Sequence, residues 1–332
     1  MFEKLIAVVL RRRLEDVMAV GVSLVLLVFS GVTEFYHAFQ FKALDFAFIL
    51  LPVGILGVKY LLELLVTGEE ETNAQGGPLN MLAAFFRPLV GIFRDWFPFV
   101  LLSASYYSLY SNLIFRIKPQ TDDALLGKID AFLVGTQPSF LLEPWISPGL
   151  TDFLSLVYFS YVLSLPTVAF YFYVADKKSV FRRVMMGYLT LMMMGLASYL
   201  LVPAMGPQTH FADQYTRDLL GRQFSKSVEY IINAGRVGFD CFPSLHVAIP
   251  FLLSLYLHDY RKKLFLPCLV YVLLIAFATI YLRYHYLTDV LAAFVYAPVA
   301  YWLNDFLLAK WPGEAILKTS KPAGDNAAKP VC

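Results

Sequence analysis

The sequence predicts an all-α, polytopic membrane bundle of about eight transmembrane helices, and three observations carry that expectation. Of its 332 residues, 58% are hydrophobic and 16% charged, where a soluble domain carries about 25% charged residues. The apolar residues fall in runs long enough to cross a bilayer core, which takes roughly 20 residues per helix. Lys and Arg gather in alternate connections between those runs, as they do when one membrane face retains the positive charge. The same figures exclude other classes. A chain this poor in charge has too little solvated surface for a soluble enzyme and too much apolar content for disorder. A formal net charge of +2 sets up no field that would hold a nucleic acid. Cys241, Cys268 and Cys332 lie in three unlike segments and give no disulfide framework.

Taken in order, the opening MFEKLIAVVLRRR has a brief apolar run, then three arginines and no small-residue cleavage site, so it does not read as a signal peptide. Spans follow at about 17–33 and 44–66. Residues 67–78 (TGEEETNAQGGP) form a polar linker with a solvated charge run at Glu69–Glu71. Residues 79–94 read as a helix lying in the interface, anchored by Arg87 and Arg94. Further spans are placed at 96–115, 151–174, 184–203, 243–258, 264–282 and 287–308. Gly54, Pro166, Gly195 and Pro250 inside spans are ordinary for membrane helices. The tail from about 310 is rich in Lys, Pro, Gly and Ala and reads as disordered. Connections on the N-terminal side hold 17 Lys and Arg, those on the other side 9. Both termini are therefore expected in the cytoplasm. The strongest markers are Arg11–Arg13, Lys177/Lys178/Arg182/Arg183 and Arg261/Lys262/Lys263.

The chemistry-bearing residues converge on the opposite face. Segment Arg116-Ile117-Lys118 follows the third span, GFDCFPSLHVAIPF carries His246 at the opening of the sixth, and YLRYHYLTDVLAAF sets Arg283, His285 and Asp289 between the seventh and eighth. Ionisable groups at such depth are costly and mark functional sites. His285 and Asp289 are four apart, which on a helix puts them on one face. A carboxylate there accepts the Nδ1 proton and leaves Nε2 as a free lone pair, a nucleophile or base; a structural hydrogen bond is the competing reading. Pro243-Ser244 reads as a helix start whose N–H groups, with the Ser244 hydroxyl, favour an anion. His246 in that first turn is placed to protonate a leaving oxygen. Arg116, Lys118 and Arg283 are the cations available to neutralise phosphate charge. His37 and His258 read as interfacial anchors, and His210 as a loop residue with substrate lining as its alternative. Cys241, His246, His285 and Asp289 match no standard zinc or di-metal spacing, and no glycine-rich nucleotide loop is present. Neither metal nor cofactor is expected.

Phe242-Pro243-Ser244-Leu245-His246, followed by Arg283-Tyr284-His285-Tyr286-Leu287-Thr288-Asp289, resembles the second and third signatures of the phosphatidic acid phosphatase type 2 superfamily. That pattern is P-S-G-H and then S-R-x5-H-x3-D. Leu245 replaces the glycine and Ala278-Thr279 stand where Ser-Arg would be. These departures are similar to the inositol phosphotransferase branch, which includes inositol phosphorylceramide synthase and so bears on sphingolipid metabolism. The run from Tyr110 to Gly135 with Asp130, and Val202-Pro203-Ala204-Met205-Gly206-Pro207, are also similar to that branch. The first signature, K-x6-R-P, is not recognisable, since Asn80 stands where Arg87-Pro88 would need its lysine. Phosphate binding falls instead to Arg116, Lys118, Ser244 and Arg283.

The resemblance covers about residues 95–309 and implies a six-helix core there, with 1–94 as an N-terminal extension and 310–332 as a tail. It implies that His285 attacks phosphorus to form a phosphohistidine, Asp289 orients it and His246 protonates the departing alkoxide. The leading expectation is a lipid phosphotransferase with a phospholipid donor and a lipid alcohol acceptor. A lipid phosphate or polyprenyl diphosphate phosphatase, and a non-catalytic lipid-binding or transport protein, are the alternatives. Headgroup selection is expected in loop 204–242, with His210, Arg236 and Asp240 as weaker substrate contacts. The aromatic and apolar surroundings (Phe239, Phe242, Leu245, Tyr281, Tyr284, Tyr286) favour a membrane-dissolved acceptor over water. The site is expected at the periplasmic or luminal face, and the sequence does not set oligomeric state.

Overall fold

The computed structural model describes residues 12–30, 78–106, 114, 117–219, 221–235 and 238–311. Among them regular structure is helical, with one isolated parallel bridge between Ala204 and Asp240. The longer helices are α1 (Leu14–Ser30), α2 (Pro78–Ser105), α3 (Asp123–Val134), α4 (Pro148–Val174), α5 (Lys178–Leu201), α6 (Gln223–Gly235), α7 (Leu245–Tyr260), α8 (Phe265–Tyr281) and α9 (Leu287–Lys310). Single helical turns at Pro138–Leu141 and Pro207–His210 punctuate the connections. Helices are the expected solution in a bilayer, because they satisfy every backbone group within one segment.

Among the described residues, four stretches are long and apolar enough to cross a membrane: α4, α5, Lys262–Tyr281 (α8 with its preceding turn) and α9. The chain is an integral membrane protein. α7, of 16 residues, is the central element and packs on α4, α5, α8 and α9. Its Val247, Ala248, Leu252, Leu253 and Tyr256 are buried, as are Leu189 and Leu191 of α5 and Val290, Ala293, Ala297 and Ala300 of α9. The α5–α7 contact is close enough to require glycine. A Cβ on Gly187 would lie 2.0 Å from the Tyr256 hydroxyl, and one on Gly195 2.8 Å from Leu245 Cδ1.

The bundle has two chemically different ends. At one end Arg183 pairs with Asp259 and Asp305, both at 2.6 Å, and Arg182 pairs with Glu15 at 2.6 Å. Arg13 reaches Asp95 at 2.7 Å. These tie the beginnings of α1 and α5 to the ends of α7 and α9. The opposite end, where α4, α7 and α9 begin, holds His246, His285 and Asp289.

Spans expected at 151–174, 184–203, 264–282 and 287–308 coincide with α4, α5, α8 and α9, while the one expected at 243–258 falls on α7, whose 16 residues leave it outside those four. Residues 79–94, read as an interfacial helix, and the beginning of the span read at 96–115 lie in one helix, as α2 runs from Pro78 to Ser105. Asp95, which interrupts the apolar run, is neutralised by Arg13 of the segment before α1, and α1 packs along α2. The span at 44–66 and residues 312–332 of the tail lie outside the described residues.

Candidate active site

Two helix starts and one tight turn build the site. Ser244 is the N-cap of α7, with extended backbone (φ −71°, ψ 98°), so His246 stands in the first turn. α8 ends at Tyr281, and Arg283, at φ +66°, lies in the left-handed region and turns the chain back. His285 follows in that turn and Tyr286 caps α9. The expectation that His285 and Asp289 share a helix face is therefore corrected. His285 precedes α9, and the pair meets because Asp289, three residues past the cap, folds its carboxylate back over the helix start. Asp289 Oδ2 accepts Tyr286 N–H at 2.9 Å and lies 3.3 Å from His285 Nδ1.

One line of hydrogen bonds crosses the site. His285 Nε2 is 2.8 Å from His246 Nδ1, and His246 Nε2 is 2.6 Å from the Tyr158 hydroxyl on α4. The proton positions follow from donor and acceptor capacity. An ionised Asp289 only accepts, so His285 carries its proton on Nδ1 and has a lone pair on Nε2. The proton between the two histidines then belongs to His246 Nδ1, and neutral His246 accepts from Tyr158 through Nε2. A lone pair on His285 Nε2 and a hydrogen on His246 Nδ1 thus face each other. The His246 ring is stacked on Tyr158 at 4.9 Å and meets Tyr161 edge-on at 4.3 Å, and Tyr284 packs on Tyr158 at 4.8 Å.

Buried carboxylates hold this geometry from outside. Asp130, fully enclosed, accepts the amides of Leu287 and Thr288 at 2.8 Å each, and the Thr288 hydroxyl at 2.6 Å. It supplies the start of α9 with the acceptor that free helix N–H groups need. Asp123 accepts the amides of Met205 (2.9 Å) and Gly206 (2.8 Å) and the Tyr286 hydroxyl (2.9 Å). Cys241 Sγ donates to Asp289 Oδ2 at 2.9 Å. Burial, and then the Asp289 charge, push the Cys241 thiol well above its ordinary range, so it is a neutral donor here.

The expected phosphate-binding residues are more scattered. Ser244 is fully buried with a hydroxyl that has no partner among the described residues. Arg283 is engaged elsewhere. Its guanidinium lies 3.6 Å over the Tyr215 ring and donates to Arg217 O at 2.6 Å and Glu143 Oε1 at 3.3 Å. Glu143 also takes Thr216 N–H at 3.0 Å, so Arg283 and Glu143 clamp segment 215–217 beside the site. Burial works against the Glu143 charge, but the hydrogen bonds from Thr216 and Arg217 and the nearby Arg283 outweigh it and hold the carboxyl below its usual range. Lys118 is bound to Asp122 and to Leu201 O. Arg116 and Arg236 lie outside the described residues. His210 is exposed, with its ring against Phe211, and Asp240 accepts from the Tyr106 hydroxyl at 2.8 Å.

Tyr158, Asp123 and Glu143 are site or supporting residues that sequence reasoning missed, and Cys241 is one that it weighed only as a disulfide partner or metal ligand. Tyr158 is one of many aromatic residues in a span, and nothing local marks it. Cys241 stands two residues before Pro243, inside the motif segment, and proximity to the motif is the signal that was there to use.

The profile of the PAP2 superfamily matches residues 129–303, a stretch that includes His246, His285 and Asp289. A PA-phosphatase related-family protein of Dictyostelium discoideum is 36% identical over 98 residues, which are 28% of this chain and 18% of that relative. The match thus spans under a fifth of the curated relative's length. No solved structure matches.

Proposed function

The chain belongs to the PAP2 superfamily, and on that premise we propose that it is a membrane lipid phosphotransferase working through a phosphohistidine. The observation that carries this reading is the 2.8 Å approach of His246 Nδ1 to His285 Nε2. A nucleophile and an acid so close lie on opposite sides of one phosphoester once substrate separates them. His285 Nε2 attacks phosphorus, the bond to the leaving oxygen breaks, and the His246 Nδ1 proton goes to that oxygen as the Tyr158 hydroxyl proton, 2.6 Å away, passes to His246 Nε2 and keeps the ring neutral. Asp289 stabilises the imidazolium character that develops on His285. His246, now with a free Nδ1 lone pair, takes the proton of the incoming hydroxyl as that oxygen displaces His285. Ser244 and the start of α7 receive the phosphoryl oxygens.

The acceptor decides between transfer and hydrolysis. Water at about 55 M outcompetes a lipid alcohol unless the acceptor is held in line, where effective molarity reaches about 10⁵ M or more. Phe239, Leu245, Tyr281 and Tyr286 are buried about the site, with Phe242 and Tyr284 half-buried. These apolar walls favour a membrane-dissolved alcohol. Hydrolysis of a lipid phosphate or polyprenyl diphosphate is the second reading, and the description of the Dictyostelium relative as PA-phosphatase related favours it. A purely binding role is disfavoured by the intact His246–His285–Asp289 line. The inositol phosphotransferase branch, with a phosphoinositol headgroup and a sphingolipid acceptor, is the donor and acceptor class that Pro243-Ser244-Leu245-His246 supports. The cationic connections support a periplasmic or luminal site with both termini cytoplasmic.

The test uses isotopically labelled phospholipid donor in mixed micelles, with and without a panel of lipid alcohols. Label in a new phosphodiester lipid is the expected result. Label found only in free phosphate or free headgroup phosphate for every alcohol would leave the phosphatase reading in its place.

A further inference from the structure

Cys241 makes and breaks no bond in the phosphoryl transfer proposed above, yet its sulfur lies among the reacting groups. Sγ is 2.9 Å from Asp289 Oδ2 and 3.5 Å from His285 Nδ1, and those two atoms are 3.3 Å apart. Thiolate, imidazole and carboxylate are the ligands zinc takes. A tetrahedral ion with bonds of about 2.3 Å to sulfur and about 2.0 Å to nitrogen and oxygen sets edges of roughly 3.5 Å from sulfur and roughly 3.3 Å between nitrogen and oxygen. Two observed edges match. The third opens by about 0.6 Å once the thiol proton that draws sulfur to oxygen is gone.

A second observation points to the same place. Asp289 is fully enclosed, and its other oxygen, Oδ1, has no hydrogen-bond partner among the described residues. A buried carboxylate oxygen without a partner is costly, and a cation held by this carboxylate, through one or both oxygens, would offset that cost. Charge also balances: one thiolate and one carboxylate neutralise a divalent cation, so the filled site carries no net buried charge.

We infer that Cys241, His285 and Asp289 form an inhibitory site for a thiophilic divalent cation of the zinc type. On binding, the Cys241 thiol loses its proton to solvent and its sulfur bonds the metal. His285 binds through Nδ1 as a neutral imidazole, so the hydrogen there moves to Nε2. One proton leaves per ion bound. Nε2 is the nitrogen whose lone pair attacks phosphorus, and in the metal form that lone pair is occupied by hydrogen. The hydrogen-bond line through His246 to Tyr158 reverses direction as a consequence. Metal binding and phosphohistidine formation therefore exclude each other. The binding site stands on geometry alone, while its inhibitory effect rests on the reaction proposed above, and the experiment separates the two.

Full-length protein carrying Cys268→Ala and Cys332→Ala keeps Cys241 as its one thiol. Titrated with Co²⁺ in detergent, it is expected to develop strong tetrahedral visible bands and a thiolate-to-cobalt charge-transfer band, saturating at an equimolar amount and displaced by Zn²⁺. Adding Cys241→Ala removes the charge-transfer band. A weak octahedral spectrum without charge transfer in the Cys241-containing protein overturns the site, whether or not any Cys241 variant folds. In turnover, Zn²⁺ inhibits, EDTA restores the rate, and Cys241→Ser raises the inhibition constant by about tenfold or more relative to its own metal-free rate. A cobalt–thiolate site whose occupancy leaves turnover unchanged overturns the inhibitory role. Protein that turns over no lipid phosphoester fails the functional reading, and the cobalt spectrum then still decides the site.

Discussion

Replacing Tyr158 by Phe removes one hydroxyl and leaves the stacked ring. The Tyr158 hydroxyl is 2.6 Å from His246 Nε2, and its proton is what holds the His246 hydrogen on Nδ1, facing His285. Without that donor, His246 is free to place its hydrogen on Nε2, where it serves no leaving group. A net hydrogen bond contributes about 0.5–1.5 kcal/mol, and an acceptor stranded in burial costs about 1–3 kcal/mol. His246 is half-buried, so water relieves part of the loss and about 1–1.5 kcal/mol is the better figure. At 1.4 kcal/mol per factor of ten, that is a five- to tenfold fall in kcat/KM, roughly. The fall is expected only where the acid matters. A phospholipid with an alkoxide leaving group should lose that factor, while an activated aryl phosphoester, which needs no proton, should change by less than about twofold. The assay measures both substrates on wild type and Tyr158→Phe in the same micelles. Equal losses on the two substrates, or no loss on the alkyl substrate, would refute the proton placement derived for the His246–His285 pair.

His285→Ala should lower turnover by several orders of magnitude on both substrates and abolish acid-labile labelling of the protein, since a covalent nucleophile has no substitute. Asp289→Asn, checked by the same assay and by melting temperature, should keep the cap on α9 yet present the wrong His285 tautomer, costing up to about 10⁴ in rate. Glu143 has a folded pKa below its ordinary 4.5, so its contribution to stability is complete above that value and is lost as pH falls through the folded value. Melting temperature should accordingly drop between pH 6 and pH 3 by more in wild type than in Glu143→Gln, with pH steps of about one unit resolving the window. A cysteine replacing exposed Arg222 should react with an impermeant thiol reagent on intact cells and one replacing exposed Lys178 should not; the reverse pattern would overturn the proposed sidedness.

The parts of the fold that were legible are those decided by hydropathy alone. α8 and α9 begin within one residue of the expected 264 and 287 because charged connections, Arg261-Lys262-Lys263 and the Arg283–His285 turn, bound their apolar runs. The unbroken α2 was not legible, because Arg87, Pro88, Arg94 and Asp95 interrupt its apolar run and the pairing of Asp95 with Arg13 is tertiary. In the site, His246, His285 and Asp289 were legible from residue type and spacing. The positive φ of Arg283, which sends its guanidinium to Glu143 and Tyr215, leaves no mark on a sequence pattern. Asp123 was likewise opaque, and Asp130 stood out only through the resemblance: the backbone amides that each accepts, at 205–206 and at 287–288, lie far along the chain.

Those carboxylates explain why the site is built on helix ends. α7 and α9 begin at the same end of the bundle, and each start presents donors that need acceptors. Asp130 satisfies the amides of Leu287 and Thr288, and Asp289 satisfies that of Tyr286 while also holding His285. Ser244 N–H reaches back to the carbonyl of Asp289 at 3.2 Å, which ties the start of α7 to the start of α9. The separation of His246 from His285 is therefore set by backbone and cap contacts of two packed helices rather than by flexible side chains. A transition state needs its donors in place before charge develops, and this arrangement supplies that preorganisation. On the function proposed here, the choice of headgroup falls to the connection 204–242, whose ends and 215–217 segment are held against this rigid pair by Asp123, Asp289 and the Arg283–Glu143 clamp.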